Sequence, residues 1–540
     1  VGETIGHVNN GTAGGSLCWA RDAKSFYYTR YPRRGERPDA DLDFYLQVYS
    51  HVLGMPDGQD RYELGKDFPK IAEILLACSA DGDYVAANVQ NGDGGGFAQY
   101  LRTPDGRWTA LTTFDDKVDS AFFGNGPSIY FVSHARAPHG KILHLALEVT
   151  RPPRMASAVT VVPDRADAVI DFDFYSARGI VTTATRLLAL DLIGGPSQVR
   201  VFEPTGRPVG TLPLPPIASL NEILRLDGDR IIFKATTFVE PSSWYELDVS
   251  RLAAGLGPRK LAISNRSSVD LSAMEVTREV ALSKDGTKVP LTIVRKKGTP
   301  RDGKNPTLLT GYGGYGISQR PSFLGNRAVW LEQGGVFVVA NLRGGGEFGE
   351  EWHRAGRLMQ KQNVFDDFIA CAEHLIKARY TSAARLAIEG GSNGGLLMGA
   401  VMTQRPDLFR AVVSHVGIYD MLRVELSPNG AFNVPEFGTV TNGDHFRAMR
   451  AYSPYHHVRD GEKYPATLFL TGANDPRVDP MHSRKMTARL QAAMGGTGTV
   501  LLRTSGDTGH GIGTPLDEAI RQSADVYAFL FEQLGMEYRR

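Results

Sequence analysis

An all-β N-terminal half joined to a doubly wound, mostly parallel α/β sheet is the architecture this sequence predicts, on three observations. Units of a small or aromatic residue, a polar turn and an alternating strand recur through roughly the first 265 residues. After Ser267 apolar strands alternate with amphipathic helices. And 540 residues are too many for one ordinary core. The expected domains are residues 1–267 and 268–540.

In the first half the recurring units lie at 19–29, 78–87, 122–132, 174–183 and 225–235, with turns near Asp22, Asp81, Gly124, Arg178 and Asp227. A diverged repeat of about 45–60 residues with several strands per unit predicts propeller blades, about five of them. A large irregular sandwich is the alternative. In the second half, 276–294 reads as a hairpin turning at Asp285-Gly286. Strands are expected at 307–310, 335–341, 386–389, 411–415, 467–471 and 500–503. Helices are expected at 365–378, 481–494 and 517–534. In the first helix Phe365, Phe368, Ile369, Ala372, Leu375 and Ile376 share one face.

Composition excludes several classes of partner. Lys and Arg number 60 against 59 Asp and Glu, with no block of like charge, so neither nucleic acid nor an anionic membrane is indicated. No apolar run reaches the length of a membrane span, and Val1 opens no signal peptide. Cys18, Cys78 and Cys371 lack metal-ligand spacing, so buried thiols are expected, with no metal, cofactor or disulfide framework. A cytoplasmic monomer is the expected form; a periplasmic or secreted one stays open.

The chemistry gathers at Gly390-Gly-Ser-Asn-Gly394, between an apolar strand and a small-residue helix. In that setting G-x-S-x-G is a nucleophile elbow, a tight turn that pushes the Ser392 hydroxyl out above the sheet. A serine needs a base and a group to orient it, which in this fold class follow in the order acid, then His. His510 stands in the glycine-rich loop after the last strand. His415 lies within a strand, His456 and His457 in an irregular stretch, and His482 at a helix start. Asp475 follows a buried strand at its C-terminal end, where catalytic groups collect in open α/β sheets. Asp420 is the runner-up, and Asp479 reads as a helix cap. An oxyanion hole needs two donors: the Asn393 N–H supplies one, and Tyr312, in Gly311-Tyr-Gly-Gly-Tyr-Gly316, the other. That loop and Gly344, Gly346 and Gly349 both spell G-x-G-x-x-G. Asn341 occupies the place of the acid that a dinucleotide site needs, and Pro321 interrupts the following helix.

From Gly311 onward the chain resembles the prolyl oligopeptidase family of serine peptidases, a propeller joined to an α/β hydrolase. The resemblance rests on Gly311-Tyr-Gly-Gly-Tyr-Gly, Ala340-Asn-Leu-Arg-Gly-Gly-Gly-Glu-Phe-Gly, Lys361-Gln-Asn-Val-Phe-Asp-Asp, Gly390-Gly-Ser-Asn-Gly-Gly, Gln404-Arg-Pro-Asp-Leu-Phe, Val416-Gly-Ile-Tyr-Asp-Met-Leu and Asp475-Pro-Arg-Val. The first half resembles the family's propeller more loosely, best from Tyr28 to Gly54. The resemblance implies Ser392, Asp475 and His510 as the triad and Tyr312 and Asn393 as oxyanion donors. It implies Arg477 on a substrate carbonyl, Tyr315 and Val478 in the side-chain pocket, and cleavage of short peptides after proline. It also implies a propeller over the site that excludes folded proteins. Two departures stand out. The tryptophan that stacks on substrate proline is missing from Asn429-Gly-Ala-Phe-Asn-Val-Pro-Glu-Phe-Gly438, where Phe432 is expected to replace it and Phe437 to fill the other aromatic position, in a register uncertain by one residue. The family also has a leading segment that completes its propeller, so about five blades suggest a fragment. An esterase, a peptidase with another preference, and a non-catalytic propeller binding module are the competing readings.

Overall fold

The computed structural model describes residues 15–148, 151–171, 179–496 and 498–539. The chain forms two compact units: Val1–Pro215, Leu220–Ala235 and Ser243–Ile263 make the first, and Pro216–Ser219, Thr236–Ser242 and Ser264–Arg540 the second. Two short segments from within the first half therefore belong to the second unit. Phe238 shows why, being packed among the second unit's core residues.

Among its described residues the first unit has five antiparallel sheets in chain order, four of four strands and one of five. The first runs from Leu17–Trp19 to Arg61–Leu64, and the last from Ser219–Arg225 to Arg259–Ser264. Four of the five recurring sequence units are the hairpins that join the first two strands of a sheet. The turn expected near Arg178 lies outside the described residues. The strands of the three inner sheets are apolar on both sides because those sheets pack into a cluster on each face. Val85 and Ala87 point into a cluster with Tyr27 and Val48 of the first sheet, while Ala86 packs with Ile129 and Phe131 of the third. Leu187 and Ala189 likewise face Val132, and Leu188 and Leu190 face Ile231 and Phe233. A side-chain period of two serves two interfaces at once, so these strands read as nearly continuous apolar runs.

The cysteine expectation needs a correction. Cys18 and Cys78 are joined in a disulfide with a Cα–Cα separation of 5.7 Å; only Cys371 is a buried free thiol. The pair is 60 residues apart, and stacking of the first sheet on the second brings it together. Spacing along the chain gives no hint of that.

The second unit is built on an eight-stranded sheet: β1 (Met274–Leu282), β2 (Lys288–Lys296), β3 (Thr307–Thr310), β4 (Val336–Ala340), β5 (Leu386–Gly391), β6 (Ala411–His415), β7 (Ala466–Gly472) and β8 (Val500–Ser505). Its order is β1-β2-β4-β3-β5-β6-β7-β8. The first two pairings are antiparallel and the remaining five parallel. Helices α1 (Gln362–Lys377), α2 (Asn393–Gln404), α3 (Gly443–Tyr452), α4 (Met481–Ala493) and α5 (Leu516–Leu534) accompany it. Two apolar layers enclose the sheet. Phe365, Phe368, Leu396 and Met486 lie in one, Trp330, Val526 and Leu530 in the other. Parallel strands put their C-terminal ends at one edge, so the segments after β3, β5, β7 and β8 meet there.

Candidate active site

Ser392 follows β5 directly and caps α2, with φ 58° and ψ −121°. A non-glycine residue held in that region costs on the order of 1–3 kcal/mol, sustained only by the surrounding structure. The support is visible: Ser392 N donates to His415 O on β6 at 2.9 Å, and Ser392 O accepts from Gly395 N and Leu396 N. Gly390 is required by close approach, since a Cβ there would sit 2.5 Å from Gly394 O. The N–H of the first helical residue has no intrahelical acceptor, and Asn393 is that residue of α2.

Asp475 lies in the turn after β7 with its side chain fully buried. One carboxylate oxygen accepts from the N–H groups of Arg477 at 2.9 Å and Val478 at 3.0 Å. The other faces His510 Nδ1 at 2.7 Å. The histidine loop is tied to this turn by main-chain bonds. Ala473 N donates to Ser505 O and Asn474 N to Thr508 O, and the Asn474 amide donates to Gly506 O. Gly472 allows the loop to cross, because a Cβ there would come within 2.3 Å of Gly509 O. Among the described residues no hydrogen bond joins Ser392 Oγ to His510. Such bonds are often long in unliganded enzymes and tighten on substrate.

The loop after β3 carries Tyr312 and Tyr315. Asn393 Nδ2 donates to Tyr312 O at 2.7 Å, and a Cβ at Gly394 would lie 3.6 Å from Tyr312 Cδ2, so the tyrosine sits against the start of α2. Tyr315 meets Phe437 edge-to-face at 5.7 Å, and its hydroxyl donates to Asn433 Oδ1 at 2.8 Å. Val478 and Phe437 are both buried in the layer against which Tyr315 packs. Phe432 is buried to 1 % exposure, and Arg477 is half-buried. The structure thus puts Asn433, passed over in the sequence, at the Tyr315 hydroxyl.

A buried ionic cluster beside these loops also escaped the sequence. Lys361 Nζ donates to Gly313 O at 3.0 Å and to Glu436 Oε1 at 2.8 Å, while Glu436 Oε2 faces His353 Nε2 at 2.9 Å. Burial pushes the Glu436 carboxyl up, but Lys361 and His353 overcome it and hold it down at about 2. Burial opposes the charge on His353, yet Glu350 and Glu436 raise it above the ordinary histidine range. The one available signal was Lys361 itself, an ionisable residue immediately ahead of an apolar helix.

The rejected candidates have other partners. Asp420 is paired with Lys485, and Asp479 accepts from Met481 N at the start of α4. His415 faces Glu389, His457 faces Arg450 O, and His456 faces Ser453. His482 accepts from the N–H groups of Tyr419 and Asp420; burial lowers its pKa to about 4 and keeps it neutral. Among the described residues no group of three or more His, Cys, Asp or Glu is placed to hold a metal. No described helix is long and apolar enough to cross a membrane.

An imidazole held by a saturated buried carboxylate, at the same sheet edge as a serine on an elbow, is an arrangement suited to acyl transfer. Comparison with known proteins agrees. Residues 2–254 match the prolyl oligopeptidase N-terminal β-propeller domain, and residues 321–537 match the prolyl oligopeptidase family. The chain is 31% identical to the prolyl endopeptidase of Elizabethkingia meningoseptica over 528 residues, covering 96% of this chain and 72% of that protein. It is 31% identical to that of Dictyostelium discoideum over 559 residues, covering 97% and 71%. A structure solved in a study of two prolyl endopeptidases superposes with a TM-score of 0.88 at 35% identity, covering 97% of this chain and 75% of the other. The chain belongs to the prolyl oligopeptidase family and is a serine peptidase, with that family's β-propeller and hydrolase domains.

Proposed function

We propose that Ser392, Asp475 and His510 are nucleophile, orienting acid and general base, and that the chain cleaves short peptides on the carboxyl side of proline. The observation that carries the triad is the seat of Asp475: backbone N–H groups saturate one oxygen and the other accepts from His510 Nδ1. His510 Nε2 is left as proton acceptor. It takes the Ser392 proton as Oγ bonds to the scissile carbonyl carbon and the carbonyl electron pair moves to oxygen. The Tyr312 hydroxyl and the Asn393 N–H donate to that oxyanion. Collapse breaks the C–N bond, His510 gives its proton to the departing amine, and an acyl-enzyme remains. Water, deprotonated by His510, then releases the acid. Arg477 is assigned to a substrate carbonyl, and Tyr315, Val478, Phe437 and Phe432 to the side-chain pocket.

Two observations support proline in that pocket. Relatives over nearly the whole chain are prolyl endopeptidases, and Tyr315 and Phe437 form an aromatic pair on which a pyrrolidine ring can pack. Asn433 favours a second reading, in which its amide gives the pocket a polar wall that suits a smaller or more polar side chain. Comparing kcat/KM on blocked Gly-Pro, Gly-Ala and Arg anilides, with an aryl ester alongside, decides between them. Loss of the proline advantage overturns the proline assignment. Faster digestion of short peptides than of casein is expected of an oligopeptidase, and equal rates refute that. A monomer is expected by sedimentation. For location, the Cys18–Cys78 bond favours an oxidising compartment over the cytoplasm; three alkylated cysteines, by mass, in protein whose thiols were blocked under denaturing conditions at lysis would reverse that.

A further inference from the structure

The Lys361–Glu436 pair lies outside the triad, yet it spans the two loops that have to cooperate in cleavage. Lys361 stands immediately before α1 with its side chain 1 % exposed. Its ammonium reaches Gly313 O, the backbone between Tyr312 and Tyr315, at 3.0 Å and the Glu436 carboxylate at 2.8 Å. It also lies 5.3 Å from the centre of the Phe437 ring. Glu436 directly precedes Phe437 in the chain, and Phe437 packs on Tyr315. One cation therefore touches the oxyanion loop, the acid of the pocket loop and a pocket ring. Taking both charges out of water is costly before any attraction is counted. An apolar pair of the same volume would serve packing alone.

We propose that Lys361 and Glu436 are positioning residues that fix the side-chain pocket at one distance from the oxyanion donors, so that the preferred side chain seats only when its carbonyl is aligned for attack. The proposal rests on the oxyanion and pocket assignments above. A clamp of this kind acts on substrates that fill the pocket and leaves those with no side chain to seat almost untouched. A contribution to folding alone would lower the rate on every substrate in the same proportion.

The test is the ratio of kcat/KM on the side chain the wild type prefers to that on glycine at the same position, both as blocked dipeptide anilides. In Lys361→Met/Glu436→Gln both charges go together, so neither is stranded in the core. The ratio is expected to fall by roughly 10–100-fold, as for a reacting group displaced by about 1 Å, with most of the loss in kcat. Lys361→Arg keeps the charge but not the compact geometry, and should lower the ratio by at least about threefold while remaining folded; it carries the test if the double variant does not fold. A proportional loss on both substrates, or an unchanged ratio in a folded variant, overturns the proposal. Failure of the underlying reading looks different: the wild type would resist organophosphonate labelling at Ser392. If the wild type prefers a side chain other than proline, the ratio is taken on that side chain and the clamp is still tested.

Discussion

The turn at Ser392 and the loop over 429–438 both follow parallel strands, but different forces hold them in place. The turn is held by backbone: the neighbouring strand β6 supplies the Ser392 N–H with an acceptor, and glycine lets β5 and α2 approach. The loop is held by side chains from far along the chain. Glu436 meets Lys361 across 75 residues and His353 across 83, and Asn433 meets Tyr315 across 118. Chemistry common to many substrates is thus written in a few adjacent residues, whereas the element assigned to substrate choice depends on distant ones.

If this division is right, changes at the triad lower every substrate alike, and changes at the loop alter ratios. Ser392→Ala should cut kcat by on the order of 10⁶ on all substrates and abolish organophosphonate labelling, by analogy with other serine hydrolases. Residual labelling would place the nucleophile elsewhere. Asp475→Asn should cost about 10⁴ in kcat with little change in KM, because the imidazole loses its tautomer. A loss under tenfold would reopen the choice of acid. Tyr312→Phe should cost roughly 10²–10³ in kcat as one oxyanion donor goes, and an effect confined to KM would move Tyr312 from the oxyanion hole to the pocket. Tyr315→Phe removes only the hydroxyl that meets Asn433, and is expected to change the proline-to-alanine ratio by less than about tenfold, the scale of one neutral hydrogen bond. If kcat on both substrates collapses together, the boundary between the two regions is drawn wrongly.

The smallest effect is in pH. Burial raises the Glu389 carboxyl behind the elbow, but Arg327 and His415 bring it to about 2, and Glu436 in the loop is held at the same value. Both are depressed below the ordinary 4.5, so the stability they add is present above about 4.5 and is lost as pH falls towards 2. The loop has a second dependence. His353 is raised by Glu350 and Glu436 despite its burial, so its contribution is complete below the ordinary 6.5 and fades as pH rises through the raised value. Lys361, Glu350 and Tyr452 also act on this cluster. Arg327, the main partner of Glu389, keeps its charge. Amide hydrogen exchange, corrected for its intrinsic pH dependence, should therefore quicken on the alkaline side at 430–438 before it does at 393–396. The reverse order would refute the contrast.

Much of this was legible in the sequence for a definite reason. Strands β3 and β6 fall where the apolar runs put them, and α1 begins three residues earlier than its apolar face suggested, since Gln362, Asn363 and Val364 complete its first turn. Ser392, Asp475 and His510 are recognisable because each sits in a short stretch whose local pattern already implies a strand end. Repetition of the hairpin at 78–87 was visible because a period-two pattern survives divergence. Asn433, Glu436 and His353 had no such local pattern, Lys361 showed only as an ionisable residue ahead of a helix, and Phe432 and Phe437 could be placed only to within one residue.

Local order along the chain, then, was enough to determine the two-part fold, the parallel sheet and the segments that bring serine, acid and histidine to one edge. Tertiary structure alone decided the Cys18–Cys78 bond, the pairing of Asp420 with Lys485 and the anchoring of the 429–438 loop on Lys361. The physical reason is range. Backbone geometry and side-chain periodicity act over a few residues and leave their mark in sequence, whereas a buried ion pair or a disulfide depends on which distant surfaces packing brings within about 3 Å or about 6 Å between Cα atoms.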